Sequence, residues 1–473
     1  MRTARPQTPS PARHQQKQMK SLIAAIALFF PLASAAVAAP LNIVFILADD
    51  QSWNGTSVPM MPGQDFSRSR QFHTPNIERL AAQGVTFSQA YAAHPKCECS
   101  RAALLMGRST TSLNATEKTA RNWSAPPSDS IANTLKRANP AYRAAIFGKW
   151  QWPQTPESMG FDVSDGITQN EDGDSKDPND PKQSFGITRR ADDFMTKQVK
   201  EGHPFYLQLS YYAVHQQPQA LASTLKKYEG MAGGGGGRGD RAVMAAMAED
   251  LDTCVGAVLK KLDELHIADR TLVIYMSDNG GRTEIMKGGK GNLWEGGLRV
   301  PLIVRGPAIK GGVYSDEPVV SYDILPTVLD FAAPGFVLPK GVEGGSWKPV
   351  LLGVVGGKVK RPIDRFVFHQ AVEVDHPQSA IRKGDFKLLY YWDTRDAMLF
   401  NLAQDLSEDH NLAKEKPELA AQLEKELKDH VRAGLGEQTF AALESGKFEP
   451  RGRPGGGGGG KPRVGKRPPP PAQ

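Results

Sequence analysis

Leu41-Asn-Ile-Val-Phe-Ile-Leu-Ala48, running into Asp49-Asp50, is an uninterrupted apolar stretch rich in β-branched residues. A strand with one wet face alternates apolar and polar residues, so a run without alternation reads as a strand buried on both faces. A second run of this kind, Thr271-Leu-Val-Ile-Tyr-Met276, ends in Ser277-Asp278-Asn279-Gly280. Further strands are predicted near 142–147, 204–210 and 300–304. Helical patterns lie between them. Thr74-Pro75 reads as the N-cap and first-turn proline of a helix continuing to Gly84, and residues 242–265 carry apolar side chains at helical spacing. Strands interleaved with helices predict an α/β body, with a large, mostly parallel central sheet sandwiched by helices. Ligands of such sheets gather beyond the carboxyl ends of the strands, where both acidic clusters fall.

After about Phe331 the texture changes. Residues 365–370, 380–383 and 387–392 read as short strands, and 417–431 as a charged amphipathic helix. This predicts a catalytic body over 40–335 and a smaller C-terminal α+β subdomain with an antiparallel sheet over 336–449. Residues 450–473, rich in Gly, Pro and basic side chains, are expected to be disordered. Gly233–Gly237 reads as a surface insertion, since it lacks the Lys-Ser/Thr of a phosphate loop. The polar loop 170–182 spaces its aspartates like a calcium loop, but no glutamate closes it and proline interrupts it.

Of 473 residues, 40% are hydrophobic and 23% charged, the balance of an ordinary globular protein. Five cations in residues 1–20 and six in 450–473 stand without an acid. The net +7 therefore leaves residues 21–449 at −4, and the basic balance gives no reason to expect nucleic-acid binding. Residues 21–38 form an apolar run behind Lys17 and Lys20 and close with Ala36-Val37-Ala38, the plan of a signal peptide cleaved near Ala38 or Ala39. Residues 1–18 then read as an extension before a start at Met19. Pro31 and the shortness of the run count against a membrane anchor. The expectation is a periplasmic or secreted protein with no stable membrane insertion after cleavage. Its three cysteines, Cys97, Cys99 and Cys254, are too few for a disulfide-built exported fold.

Asp49, Asp50, Asp278 and Asn279 are oxygen ligands at strand ends. Clustered carboxylates repel unless a cation neutralises them, and oxygen-only ligands favour Ca²⁺ or Mg²⁺. The competing reading is helix capping and turn-making, which Asp and Asn also do. In Cys97-Glu-Cys-Ser-Arg-Ala-Ala-Leu-Leu-Met-Gly-Arg108 the middle stretch would open a helix whose free N–H groups face whatever Cys97 holds. A zinc site fits poorly, because no second Cys pair or His cluster stands at ligand spacing.

Cys97-Glu98-Cys99-Ser100-Arg101 resembles the Cys-x-(Pro/Ala)-Ser-Arg signature of sulfatases, in which the first Cys is oxidised to formylglycine. The surrounding blocks resemble the family in order. They are the 41–50 strand, His73-Thr-Pro-Asn-Ile-Glu-Arg-Leu-Ala, Gly148-Lys149-Trp150, Tyr212-Ala-Val-His215, Ser277–Gly280 and Gly289-Lys-Gly-Asn-Leu-Trp-Glu-Gly-Gly297. The resemblance implies an alkaline-phosphatase-like fold and hydrolysis of sulfate monoesters, with sulfated carbohydrate as the expected substrate. It also implies maturation by a formylglycine-generating enzyme. One Ca²⁺ would be held by Asp49, Asp50, Asp278 and Asn279, with residue 97 beside it. The hydrated aldehyde of residue 97 would attack sulfur. Arg101 and Lys149 would stabilise its oxyanion, and His215 and Lys290 would bind sulfate and assist the leaving alcohol. Arg382, His369 and His376 fall in the part that borders the substrate cleft in the family.

One position departs. Gln151 stands where the family has a His that deprotonates the second hydroxyl of the diol. A glutamine can hydrogen-bond the diol or a sulfate oxygen but cannot take a proton. The expectation is that Gln151 keeps the positioning role while water or a neighbouring His acts as base. Two rival functions remain: a phosphonate or phosphate ester hydrolase on the same scaffold, and a non-catalytic sulfoglycan-binding protein.

Overall fold

Strand β1 (Asn42–Ala48) is buried along its whole length, and its side chains divide by parity. Ile43, Phe45 and Leu47 join one apolar core, and Val44, Ile46 and Ala48 join another on the opposite face. Leu272, Ile274 and Met276 likewise face the first core, Val273 and Tyr275 the second. Burial on both faces is therefore the reason these runs show no alternation. The computed structural model describes residues 40–446 except 115–122, 231–240, 282, 284, 372, 373 and 375, together with residues 1 and 4. The apolar run of the expected signal peptide, the Gly233–Gly237 insertion and the basic tail lie outside the described residues.

The remaining strands follow in chain order as β2 (Val85–Phe87), β3 (Ala90–Tyr91), β4 (Arg143–Gly148), β5 (Val163–Ser164), β6 (Phe205–Ser210), β7 (Thr271–Ser277), β8 (Leu302–Arg305), β9 (Val313–Ser315), β10 (Val319–Val320), β11 (Phe366–Gln370), β12 (Gln378–Lys383), β13 (Phe386–Tyr391) and β14 (Ala397–Asn401). The large sheet runs β5-β4-β6-β1-β7-β8-β2-β9. Its centre, β4-β6-β1-β7, is parallel, and β8 is antiparallel to both neighbours, so the sheet is mostly parallel as expected. Helices Ser184–Glu201 and Arg241–Glu264 cover one face through Ile187, Met195, Leu251 and Val255. Helices Cys97–Met106 and Ile324–Ala332 cover the other through Ala103, Leu104, Ile324 and Leu325. Truncating a fully buried Phe45 to Ala costs about 3–5 kcal/mol in such a core.

The four central strands are in register at their carboxyl ends. Leu47 pairs with both Ser210 and Met276, and Gly148 with Ser210. The chain segments that leave β1, β4, β6 and β7 therefore start side by side, carrying Asp49-Asp50, Lys149, Tyr211–His215 and Asp278-Asn279. Gly148 is required at its place: its φ is 96°, and a Cβ there would sit 2.1 Å from the Ser210 carbonyl oxygen.

The C-terminal strands β11–β14 form a four-stranded antiparallel sheet. Phe366, Phe368, Ala380 and Leu389 pack into the core of the large sheet. Val367, Ile381, Leu388 and Leu399 pack against Leu423, Leu427 and Val431 of helix Pro417–Leu435. The described residues between 41 and 446 belong to one compact unit. No helix among the described residues is long and apolar enough to cross a membrane.

One local expectation is corrected. Helix Pro75–Ala82 does start at Pro75, but the Thr74 hydroxyl makes no cap. It accepts from Ser57 N instead, at 2.8 Å. The cap comes from Asp252 on the long helix, whose carboxylate accepts from Asn76 N and Ile77 N at 3.1 and 2.8 Å. A carboxylate satisfies two first-turn donors where a hydroxyl satisfies one.

Candidate active site

Asp49 and Asp50 leave β1 in opposite backbone conformations. Asp50 has φ 60°, the left-handed region that non-glycine residues seldom occupy, and this turns both carboxylates toward the same point. Asp49 N–H donates to Ala213 O at 2.9 Å and its carbonyl accepts from Val214 N at 2.7 Å, which fixes the β1 and β6 exits to each other. Asp50 N–H meets Asp278 Oδ1 at 3.2 Å. The helix Cys97–Met106 points its N-terminus at this cluster; its N-cap Lys96 gives no side-chain cap, and Gly107 closes it in a left-handed conformation.

Cys97 Sγ lies 3.2 Å from Asp49 Oδ1 and 3.6 Å from Asp50 Oδ1. Behind it, fully buried, are two cations. Lys149 Nζ is 2.6 Å from Asp49 Oδ2. Arg101 Nε is 2.8 Å from Asp278 Oδ2, its terminal nitrogen is 3.8 Å from Asp49 Oδ1, and it also donates to Lys149 O at 3.2 Å. On the accessible side stand Lys290, 2.8 Å from Asp50 Oδ2, and His215, 3.8 Å from the same oxygen, with side chains 31% and 17% exposed. Asn279 Nδ2 donates to Asp50 Oδ1 at 2.8 Å. The carboxylates of Asp49, Asp50 and Asp278 and the Cys97 sulfur each offer a ligand atom within 4.8 Å of the others, a set able to hold a metal ion. A second such set joins Asp49, Cys97 and a ring nitrogen of His215.

The charges sort themselves accordingly. Burial opposes ionisation of Asp49, but Lys149 and Arg101 hold its carboxyl well below the usual range. Burial, and then the Asp49 charge, push Asp278 up to about 6. Burial with Asp278 and Asp49 pushes the Cys97 thiol far up, so an unmodified Cys97 is a protonated thiol and a weak nucleophile. Burial works against the Lys290 charge, yet the Asp50 and Asp49 carboxylates raise it above its ordinary value. Burial lowers His215, leaving a neutral imidazole near neutral pH.

The candidate residues Asp49, Asp50, Cys97, Arg101, Lys149, His215, Asp278, Asn279 and Lys290 thus come together. Gln151 also has a left-handed φ, 77°. Its N–H donates to Thr168 O at 2.8 Å, its Nε2 to Asn170 Oδ1 at 3.1 Å, and its buried Oε1 has no hydrogen-bond partner. Asn170 is a residue that sequence reading missed, because nothing in the spacing of loop 170–182 sets it apart. The aspartates of that loop are committed elsewhere: Asp174 to Lys182, Asp172 to Gln169 N, and Asp180 to Phe185 N and Gly186 N. Two residues expected at the cleft are interior. His369 is buried with Nδ1 2.7 Å from Ser379 Oγ, and burial brings it down to about 4. Arg382 is buried over the Tyr91 ring, 4.9 Å from its centroid. His376 is exposed and paired with Asp393 at 2.6 Å.

Residues 41–334 match the sulfatase family model, and residues 289–433 match that of the N-sulphoglucosamine sulphohydrolase C-terminal region. A sulfatase of Formosa agariphila is 28% identical, with 80% of this chain and 85% of that protein covered. The N-acetylgalactosamine-6-sulfatase of Homo sapiens is 29% identical, with 68% of each covered. Among solved structures, Ps i-CgsB in complex with k-i-k-neocarrahexaose superposes with a TM-score of 0.71 at 25% identity, covering 85% of this chain and 96% of that one. A phosphonate monoester hydrolase from Silicibacter pomeroyi shares the fold, with a TM-score of 0.63 at 19% identity and coverage of 83% and 95%. With the sulfatase model spanning more than half its length, the chain belongs to the sulfatase family and is a sulfuric ester hydrolase.

Proposed function

We propose that this protein is an exported enzyme that removes sulfate from sulfated carbohydrates, using a formylglycine made from Cys97 and one Ca²⁺. The observation that carries this reading is the position of Cys97, between a carboxylate cluster and two buried cations, at a helix N-terminus. The donor set fits a hard cation: three carboxylates, and a buried Asn279 Oδ1 with no hydrogen-bond partner. Asp49, Asp50, Asp278 and Asn279, with residue 97, would hold it. When present, the hydrated aldehyde supplies a hydroxyl nucleophile and the cation supplies Lewis-acid charge beside it.

The chain's own residues do the rest. Arg101 and Lys149 are clamped by Asp278 and Asp49, so they hold positive charge behind residue 97 without reorganising as negative charge develops there. Lys290 and His215 stand on the accessible side, where a sulfate ester would arrive, and they receive its oxygens and the leaving oxygen. Gln151, oriented by Asn170, offers Oε1 as a hydrogen-bond acceptor and cannot remove a proton. A His215 ring nitrogen is within 4.8 Å of Cys97 Sγ, so His215, or a water beside it, takes the proton that a His at 151 would have taken. Replacing Gln151 with His should then raise turnover or reduce build-up of sulfated enzyme; no change in either would sink this assignment.

The substrate class follows the sulfated-saccharide relatives. Release rates should be measured on a panel of sulfated saccharides, nitrophenyl sulfate and nitrophenyl phosphonates. Preference for the sulfates is expected, and faster phosphonate cleavage would assign the site to the alternative ester.

A further inference from the structure

Lys290 sits within a segment, 287–295, whose two sides are held by different parts of the chain. Toward the site, Gly291 N–H donates to Pro95 O at 2.8 Å, two residues before Cys97. On the far side the holds come from residues 378–409. Leu293 N–H donates to Gln378 Oε1 at 3.0 Å, and Glu295 N–H to Glu408 Oε2 at 2.7 Å. Lys287 Nζ donates to Glu408 O at 2.7 Å. Beneath them, Lys387 Nζ lies 2.9 Å from Glu295 Oε1 and 2.8 Å from Glu408 Oε1, all three side chains having no exposure. Arg299 Nε and Tyr91 OH take the second oxygen of Glu295, each at 2.7 Å.

A lysine ammonium is a point charge on a flexible stem, so its aim depends on how firmly its backbone is held. The segment has little stiffness of its own, because Gly288 and Gly291 flank Lys290 with φ 74° and 88°. The geometry points to Lys387 and Glu408 as positioning residues for Lys290: a buried strut through which the C-terminal sheet fixes the sulfate-binding segment over residue 97. This rests on the reading of Lys290 as a sulfate ligand. The ionic strut costs desolvation that an apolar contact would not. What it gives in return is a fixed register, since Lys387 on β13 can bridge Glu295 and Glu408 only when the two segments are aligned.

The test measures kcat and KM on nitrophenyl sulfate for the full chain, alongside thermal melts. The variants are Glu408→Gln, Lys387→Met with Glu408→Gln, Lys287→Ala and Lys290→Ala. Each strut variant is also made in the Lys290→Ala background. Glu408→Gln is expected to lower kcat/KM about 10²-fold, the scale of an ångström-sized misplacement. In the Lys290→Ala background the same substitution should change kcat/KM by less than about threefold, because the group it positions is gone. Equal losses in both backgrounds would overturn the strut and leave a role in folding alone. Lys287 is 42% exposed, so Lys287→Ala keeps the comparison available if Glu408→Gln does not fold. An unchanged kcat/KM in Lys290→Ala alone would instead overturn the reading of Lys290, and the strut with it.

Discussion

Two buried clusters of opposite charges lie a few residues apart along the chain, and they differ in what closes them. At the sheet ends, Asp49, Asp50 and Asp278 face Arg101, Lys149 and Lys290. At the C-terminal seam, Glu295 and Glu408 face Lys387 and Arg299. The seam is sealed, with no exposure of Glu295, Lys387 or Glu408, and its charges find each other across three segments of chain. The sheet-end cluster is open on one side, where Lys290 and His215 reach solvent. It also leaves the oxygens Asn279 Oδ1 and Gln151 Oε1 buried without a hydrogen-bond partner. A closed ion cluster fixes register. An open one, with unspent acceptors, is arranged for something that arrives.

That contrast can be broken by substitution. The largest effect should come from Cys97→Ala, which lowers turnover at least about 10⁴-fold by removing the nucleophile. It should leave the thermal midpoint within a few degrees, since no charge is unpaired. Turnover assays with a melt on the same sample check both. Lys387→Met does the reverse: it leaves the buried Glu408 carboxylate without its cation, while Glu295 keeps Arg299, and should cost about 3–5 kcal/mol in urea unfolding. Adding Glu408→Gln should recover part of that loss, because it removes the stranded charge. Chelation with EDTA should abolish turnover and lower stability, by about 2.7 kcal/mol relative to Ca²⁺ at a hundred times its dissociation constant. Calcium should restore both in the wild type, and the strut variants should keep that dependence. The smallest effect belongs to a residue that is a member of neither cluster. Asp252→Ala should uncap helix Pro75–Ala82, costing about 1–2 kcal/mol with kcat unchanged.

The legible part of this molecule was the part whose residues are constrained locally. β1 and β7 are readable because burial on both faces leaves polar residues such as Asn42, Thr271 and Ser277 only at the ends of the runs. The acidic ends of those strands were legible for the same reason: Asp49-Asp50 and Asp278-Asn279 interrupt long apolar text. β2, β3, β9 and β10 were not readable, since two or three residues carry no period. Thr74 looked like a cap because the competitor, Asp252, lies 176 residues beyond the Asn76 whose N–H it accepts. Asn170 and Glu408 were invisible for a related reason. Each is one polar residue in a polar loop, and its task appears only when a partner distant in sequence is placed beside it. Arg382 and His369 were expected at the cleft, but their strands β12 and β11 turn those side chains inward.

The central claim is that residue 97 is the processed nucleophile of a sulfatase. Mass analysis of the peptide containing position 97, made on enzyme whose sulfate release from a sulfated-saccharide panel is measured in parallel with Cys97→Ala, tests it directly. An aldehyde in place of the thiol is expected, with sulfate release by the wild type alone. An unmodified Cys97 thiol in fully active enzyme would contradict it.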